Sequence, residues 1–435
     1  MKDDLKFIDL FAGIGGFHYA MTKVNKTYKC VMSCDIDDKC RQVYEDNFGI
    51  EGKKDITKLD IDDIPKFDII CAGFPCQPFS NGGNKKSFGD KRGNLFEEII
   101  KIAKTKKPKF MFLENVKHIL KVDNGNVFTT ILKKLREIKY VVCCQILSPH
   151  QLGIPQQRER VIFTCIKKSI YNKLYKNKGI FKHNNNLFVD NINTDSEGKK
   201  VKFDIKYYND FNFDLGLDDN ITIKNIRETT PNMAKYKIDA ELEKVLNTWD
   251  KMVKKVKEKT KLSPTILCKE FNTPMKIKKD GKEIDCPKFL KLPKWKQDYI
   301  AKNKPIYEEY KTDWDSWYNE NKELLAKKEI YGKLEWQTGP KKKNDSIWNY
   351  YIQVRQSGIR VKKTKYFPTL VAIVQTPIYG KEKRYITPRE CARLQSFPDT
   401  FKLPSNDKVA YKQFGNAVNV DVIYTVSKLI LDNYK

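Results

Sequence analysis

Short apolar runs alternate with stretches of helical period over the first 167 residues. The runs are LKFIDLF (5–11), YKCVMSC (28–34), FDIICAG (67–73), KFMFLEN (109–115), YVVCCQIL (140–147) and RVIFTCI (160–166). Each has the length and the apolar content of a strand. Helical spacing is found near 15–24, 37–47, 94–106 and 126–138. In LFEEIIKIAKTKK, for instance, Leu95, Ile99, Ile102 and Ala103 share one face. This alternation predicts an α/β fold with a mainly parallel sheet, in which a ligand binds beyond the C-terminal ends of the strands.

The texture changes near residue 168. From there to 385 the chain is rich in Lys, Asn and Tyr, holds all six tryptophans and has poor periodicity, with candidate helices at 239–258 and 320–329. Its aromatic content argues for a folded second domain, because disordered segments are poor in such residues. Regular patterning returns in ITPRECARLQSFPDTF (386–401) and YKQFGNAVNVDVIYTVSKLILDNY (411–434). The expected division is a first domain at 1–167, a second at 168–385, a hinge at 386–410, and a C-terminal helix at 411–435 that returns to the first domain. A length of 435 residues suits two domains, since single cores rarely exceed about 250–300 residues.

Charge narrows the partners. The formal net charge is +28, from 83 basic and 55 acidic residues, and it predicts a polyanionic partner such as DNA or RNA. A bias of 72 Lys to 11 Arg does not by itself create that excess. The eleven cysteines form no CxxC pair and the four histidines are scattered, so no metal site and no disulfide framework are expected. No apolar run approaches the roughly 18 residues that span a membrane, and MKDDLKFIDLFAG enters a strand pattern directly. A cytoplasmic protein, associated with the nucleoid in a prokaryote, is expected.

FIDLFAGIGGFHYA (7–20) reads as strand, glycine turn and helix, with Gly13, Gly15 and Gly16 allowing close backbone approach to a ligand. His18 stands where a dinucleotide fingerprint needs its third glycine, and no GK[ST] follows, so pyrophosphate and P-loop chemistry are not indicated. Asp35, at the end of the next strand, is placed to reach ribose hydroxyls, and Asp55 follows as a second acid. Ribose and adenine without phosphates is the profile of S-adenosylmethionine, although caps and turns of an α/β domain account for these residues equally well.

GFPCQPFS (73–80) sets Cys76 between two prolines in the strand-end crevice. Glu114 ends the next strand, and Arg158 and Arg160 open another, which would gather a thiol, a carboxyl and two guanidiniums at one place. The basic, glycine-rich SNGGNKKSFGDKRGN (80–94) follows the thiol directly. It is a candidate lid with Lys85, Lys86, Lys91 and Arg92 near phosphates, and an ordinary surface loop is the competing reading.

In order and spacing, FAGIGG, PCQ, ENV, QQRER, RECARLQSFPD and QFGNAVN resemble the DNA cytosine-5 methyltransferase family over about half the chain. The resemblance implies an S-adenosylmethionine-dependent Rossmann-like catalytic domain and a smaller target-recognition domain. It implies Cys76 as the nucleophile, Glu114 at the cytosine N3 and amino group, and Arg160 at O2, with Arg158 beside them. Phe11, Gly13, Gly15, Asp35, Ile36, Asp55, Ile56 and Asn416 would surround the cofactor, with Ile36 where some members stack a tryptophan on the adenine. Pro75, Gln77 and Ser80 would lie against the substrate. In NYYIQVRQSGIRVKKTKYFPTLVA (349–372), Arg355 or Arg360 would read a guanine or clamp the backbone, a salt-bridge role being the alternative, and Thr369 and Leu370 would match a Thr-Leu pair near the DNA.

The chemistry accounts for these residue types. Cytosine C5 is a weak nucleophile until a thiolate adds to C6, so a low-pKa Cys76 and a protonated Glu114 are expected. The target base must leave the duplex to be reached. The expected activity is methylation of one cytosine in a short duplex sequence by a monomer, as in a restriction–modification system whose endonuclease acts separately. An RNA (tRNA) cytosine-5 methyltransferase and a catalytically inactive DNA-binding regulator are the alternatives.

Overall fold

The computed structural model describes residues 4–75, 95–183, 205–217, 222–229, 232–262, 265–363, 365–372 and 375–434. The chain forms two compact units, one of Met1–Ile226 with Pro388–Lys435 and one of Arg227–Thr387.

The first unit is built on a six-stranded sheet of β1 (Lys6–Leu10), β2 (Lys29–Cys34), β3 (Ile69–Gly73), β4 (Phe110–Val116), β5 (Tyr140–Leu147) and β6 (Arg160–Lys167). The spatial order is β2-β1-β3-β4-β6-β5. The pairs β1/β2, β1/β3 and β3/β4 are parallel, while β6 runs antiparallel to both β4 and β5. Helices cover the faces: α1 (Gly16–Val24), α2 (Asp38–Phe48), α3 (Leu95–Lys106) and α4 (Asn126–Glu137). Phe110–Asn115 of β4 is buried throughout, which is why its sequence is continuously apolar up to Glu114. In α4, Val127, Phe128, Ile131, Leu132 and Leu135 form the buried stripe, each worth roughly 1.5–3 kcal/mol on full burial. α2 starts where the Asp37 side chain accepts from the Lys39 and Cys40 amides, and it stops at Gly49 in the left-handed region.

The expected boundary at 167 moves to Ile226. Residues 205–213 lie along the outer edge of β5 and satisfy its exposed backbone. Asn209 accepts from the Cys144 N–H at 2.7 Å and donates to the Cys144 carbonyl at 3.0 Å, and Asp210 accepts from Val142 N–H at 2.8 Å. Such a covered edge cannot pair with another chain. Tyr175, just after β6, is fully buried and donates its hydroxyl to the Ile430 carbonyl, joining the chain after residue 167 to the C-terminal helix Val420–Asp432. That helix packs along α1, where Lys23 pairs with Asp421 at 2.5 Å. The region 411–434 is two helices, Asp407–Asn416 and Val420–Asp432, since the Asn419 side chain caps a fresh start at Val422 N–H.

The second unit carries a six-stranded sheet and the helices Ala240–Lys255, Lys294–Glu309 and Lys311–Ala326. Its tryptophans are mostly core: Trp249, Trp314, Trp317 and Trp336 are buried. Trp249 Nε1 donates to the Tyr331 carbonyl and Trp317 Nε1 to the Thr248 carbonyl, which satisfies both indoles.

His18, the residue that breaks the dinucleotide fingerprint, is a core residue. It stacks on Phe48 at 3.8 Å, and its Nδ1 lies 2.8 Å from the Tyr44 hydroxyl, which donates to buried Asp9 at 3.3 Å. Burial lowers the His18 pKa from 6.5 to about 4. The unfolded chain therefore holds one more proton than the folded one between those values, so stability falls as pH falls through this window, by about 3 kcal/mol in all, and levels off below it. Asp9 has the opposite sign: burial raises its pKa, and its contribution declines as pH rises from the ordinary carboxylate range. In His18→Gln, the loss of Tm between pH 6.5 and 4 is expected to shrink. A curve with the wild-type slope would show that His18 is not the group responsible.

Candidate active site

The strand ends converge on a cavity of about 530 Å³, lined by Phe11, Gly13, Asp35, Ile36, Asp55, Ile56, Glu114, Arg158, Arg160 and Asn416 among others. Most of the residues lie in, or within a few positions after, β1, β2, β3 and β4, at or just before the start of β6 and in the C-terminal helix pair, so the crevice exists only once the sheet has formed.

One end suits a nucleoside. Phe11 turns the chain with φ 54°, a left-handed conformation that costs a non-glycine residue of order 1 kcal/mol, and so directs the Gly13 N–H onto Asp35 Oδ2 at 2.8 Å. Asp35 Oδ1 accepts from Asp37 N–H at 2.9 Å, which fixes the carboxylate plane at the cavity wall with lone pairs to spare. Ile36 is 66% exposed, an apolar side chain left open beside the cavity. Asp55 accepts from the Thr57 N–H and hydroxyl, capping the turn that places Ile56. An oriented acid, an apolar platform and a cavity in the usual range for small ligands fit the adenosine part of S-adenosylmethionine. Gly15 is not in the lining: it starts α1 at φ 86°, and a Cβ there would lie 2.2 Å from the Phe48 ring. Gly16 has an equally local reason, since a Cβ would come within 2.5 Å of the Val418 carbonyl oxygen.

The other end is charged. On the antiparallel pair β4/β6, Glu114 sits opposite Ile162, and Arg160 is two residues along on the same face. Arg160 Nε meets Glu114 Oε1 at 2.9 Å. Burial pushes the Glu114 carboxyl above its ordinary pKa, against the opposing pull of Arg160 and Arg158. Arg158 is itself buried and donates from Nη2 to the carbonyls of Gly415 (2.9 Å) and Ala417 (3.1 Å), while its backbone N–H donates to Ser148 Oγ. Grouped with the catalytic side chains on sequence, Arg158 holds the turn that carries Asn416. Gln395 helps, donating to the Phe414 carbonyl at 2.9 Å. Arg389 donates to the carbonyls of Pro398 and Phe401 and so ties down the turn that follows its own helix.

Pro75 lines the cavity, and the chain from there leads into the segment 76–94. Cys76, Gln77, Ser80, Lys85, Lys86, Lys91 and Arg92 lie outside the described residues. One positioning residue escaped the motif reading. Asn115 is buried, and its Nδ2 donates to the Phe74 carbonyl at 2.9 Å, two residues before Cys76, while its Oδ1 accepts from Val116 N–H. The signal was present as the middle letter of ENV, but only the sheet shows what it holds. Among the described cysteines, Cys34 and Cys40 also line the cavity. Burial, reinforced by Asp35, pushes both thiols up to about 12, so neither offers a thiolate at neutral pH.

In the second unit, Arg360 Nε donates to Glu335 at 2.6 Å on the neighbouring strand, so Arg360 is an ion-pair residue. Arg355 closes the hairpin opposite Gly358, half-buried, and Thr369 is half-buried.

Residues 5–432 match the family of C-5 cytosine-specific DNA methylases. The chain is 30% identical over 456 residues to the Type II methyltransferase M.HgiCI of Herpetosiphon aurantiacus, covering 99% of this chain and 98% of that protein. It is 31% identical over 448 residues to the Type II methyltransferase M.BanI of Aneurinibacillus aneurinilyticus, covering 99% and 96%. The fold is similar to that of the Schizosaccharomyces pombe Dnmt2 methyltransferase, with a TM-score of 0.51 and 19% identity over 98% of each chain. With a family match that runs from the first strand to the last helix, the chain belongs to the C-5 cytosine-specific DNA methylases.

Proposed function

We propose that this DNA methyltransferase modifies one cytosine within a short duplex sequence, with Cys76 as its nucleophile. It would act as a monomer in the cytoplasm, as the modifying partner of a separate restriction endonuclease. The carrying observation is the buried Glu114–Arg160 pair at the cavity end to which Pro75 leads, with Glu114 biased towards its protonated form. No described helix is long and apolar enough to cross a membrane.

The sulfur of Cys76 adds to C6 of an extruded cytosine, and the ring electrons move towards N3, where Glu114 gives its proton or a strong hydrogen bond. The Arg160 guanidinium keeps Glu114 in place and offers further N–H groups to the base O2. S-adenosylmethionine, the methyl donor, would supply an electrophilic methyl group on its sulfonium sulfur to the activated C5, with the neutral thioether as leaving group. Phe11, Asp35, Ile36, Asp55, Ile56 and Asn416 would hold that cofactor. Loss of the C5 proton to a base then expels the Cys76 thiolate and restores the ring. In the second unit, Arg355 is the better candidate for reading a guanine edge, because Arg360 is engaged by Glu335. Thr369 would lie near the same DNA.

Methyl-labelled S-adenosylmethionine offered with duplex DNA and with tRNA tests the reading. Label at cytosine C5 in duplex DNA is expected, and label in tRNA alone would favour the RNA enzyme. DNA binding without label in either would identify a regulator. Asn115→Ala is expected to lower the methyl-transfer rate about 10–100-fold with little change in KM for the cofactor, because it frees the backbone before Cys76. A lower Tm with an unchanged rate would make Asn115 a purely structural residue.

A further inference from the structure

Strands Lys276–Lys279 and Lys282–Asp285 form a two-stranded ribbon in the second unit that is not part of its six-stranded sheet. The turn is Asp280-Gly281, with φ of 50° and 79°, the two-residue geometry that favours Asp-Gly. Seven of its eight strand residues are exposed and Ile277 is half-buried, so little core holds it, and such an isolated pair is marginal on its own.

Register separates its two faces. Lys276, Lys278, Glu283 and Asp285 share one face, where Lys276 pairs with Glu283 at 3.1 Å and the charges balance. The other carries Ile277, Lys279, Lys282 and Ile284, with no acid. Lys279 and Lys282 are direct cross-strand neighbours, and like charges so placed repel. Among the described residues neither has an ion-pair partner. An anion shared between the two ammonium groups removes that repulsion. The sequence around the ribbon, 276–296, has eight lysines against three acids.

The geometry points to this ribbon as a second duplex-DNA contact, with Lys279 and Lys282 on phosphate and Ile277 and Ile284 towards the groove. A two-stranded ribbon fits the major groove, about 12 Å wide, and the paired lysines supply the charge that a phosphate backbone requires. The inference rests on the proposed DNA activity for its choice of polyanion.

The test uses the full chain and a fluorescent 30-base-pair duplex, with Kd measured from about 50 to 300 mM salt. Lys279→Ala/Lys282→Ala is expected to flatten the slope of log K against log salt by about 1.8, two phosphates' worth. Its Tm and its methyl-transfer rate at saturating DNA should stay as in the wild type. Lys278→Ala, on the balanced face, should keep the wild-type slope. An unchanged slope in the double variant overturns the proposal. So does an equal loss per lysine in Lys278→Ala, which would make the ribbon a diffuse cation with no docking face. A wild-type chain that binds duplex but never methylates it would sink the proposed activity and leave this binding comparison intact.

Discussion

Cys76→Ala is expected to abolish methyl transfer, by about 10⁴-fold or more, while DNA and cofactor binding persist. Cytosine C5 lacks the electron density to attack a sulfonium methyl until a nucleophile has added at C6, so no other group in the cavity can compensate. The cysteines at 34 and 40 line the same cavity but are held as thiols by burial and the nearby Asp35. Cys76→Ser should be nearly as inactive, because an alcohol provides far less anion at neutral pH. A duplex containing 5-fluorocytosine gives a direct readout. Fluorine at C5 cannot leave as a cation, so elimination fails and the covalent complex accumulates in the presence of the methyl donor. Wild-type protein should shift on a denaturing gel with that duplex, and Cys76→Ala should not. Turnover near the wild-type level in Cys76→Ala would remove the nucleophile from the mechanism.

Glu114→Gln is expected to cost about 10²–10⁴-fold in rate, the usual contribution of a positioned acid. The amide keeps the shape and can donate a hydrogen bond, but it has no proton to give to N3. Because burial raises the Glu114 pKa, the acid form survives further towards neutrality than an exposed glutamate would. The rate governed by that acid should therefore fall on the alkaline side of the raised value. In Glu114→Gln that limb should disappear. Arg160→Leu should move it to higher pH, since the guanidinium 2.9 Å away is the largest influence holding the pKa down. The same substitution leaves a buried carboxyl without its partner, so a lower Tm is expected as well. An alkaline limb that stays put in both variants would mean that another group sets it.

Much of the catalytic unit was legible as pattern. Strands at 5–11, 28–34, 67–73, 109–115, 140–147 and 160–166 correspond within a residue or two to β1–β6, because all but the edge strand β2 are largely buried on both faces and hydrophobicity marks their ends. Other features could not be read from the sequence, for identifiable reasons. The stretch 168–226 reads as part of a basic second domain, yet Asn209, Asp210 and Tyr175 fasten it to the first through backbone groups, which leave no trace in periodicity. Arg158 and Arg160 are two letters apart in one motif. One grips the carbonyls of Gly415 and Ala417 and the other meets Glu114, and nothing in QQRER separates the two roles.

Sequence by itself determined the α/β class, the order of strands and helices over the first 167 residues, the family and the residue types that the chemistry requires. Those depend on local periodicity and on short motifs, both of which are written along the chain. Only the tertiary structure decided that Glu114 and Arg160 are diagonal neighbours, that Asn115 holds the carbonyl two residues before Cys76, and that Arg360 is already engaged by Glu335. These are contacts between strands, some of them far apart in sequence, and sheet order and register set them where no local pattern can.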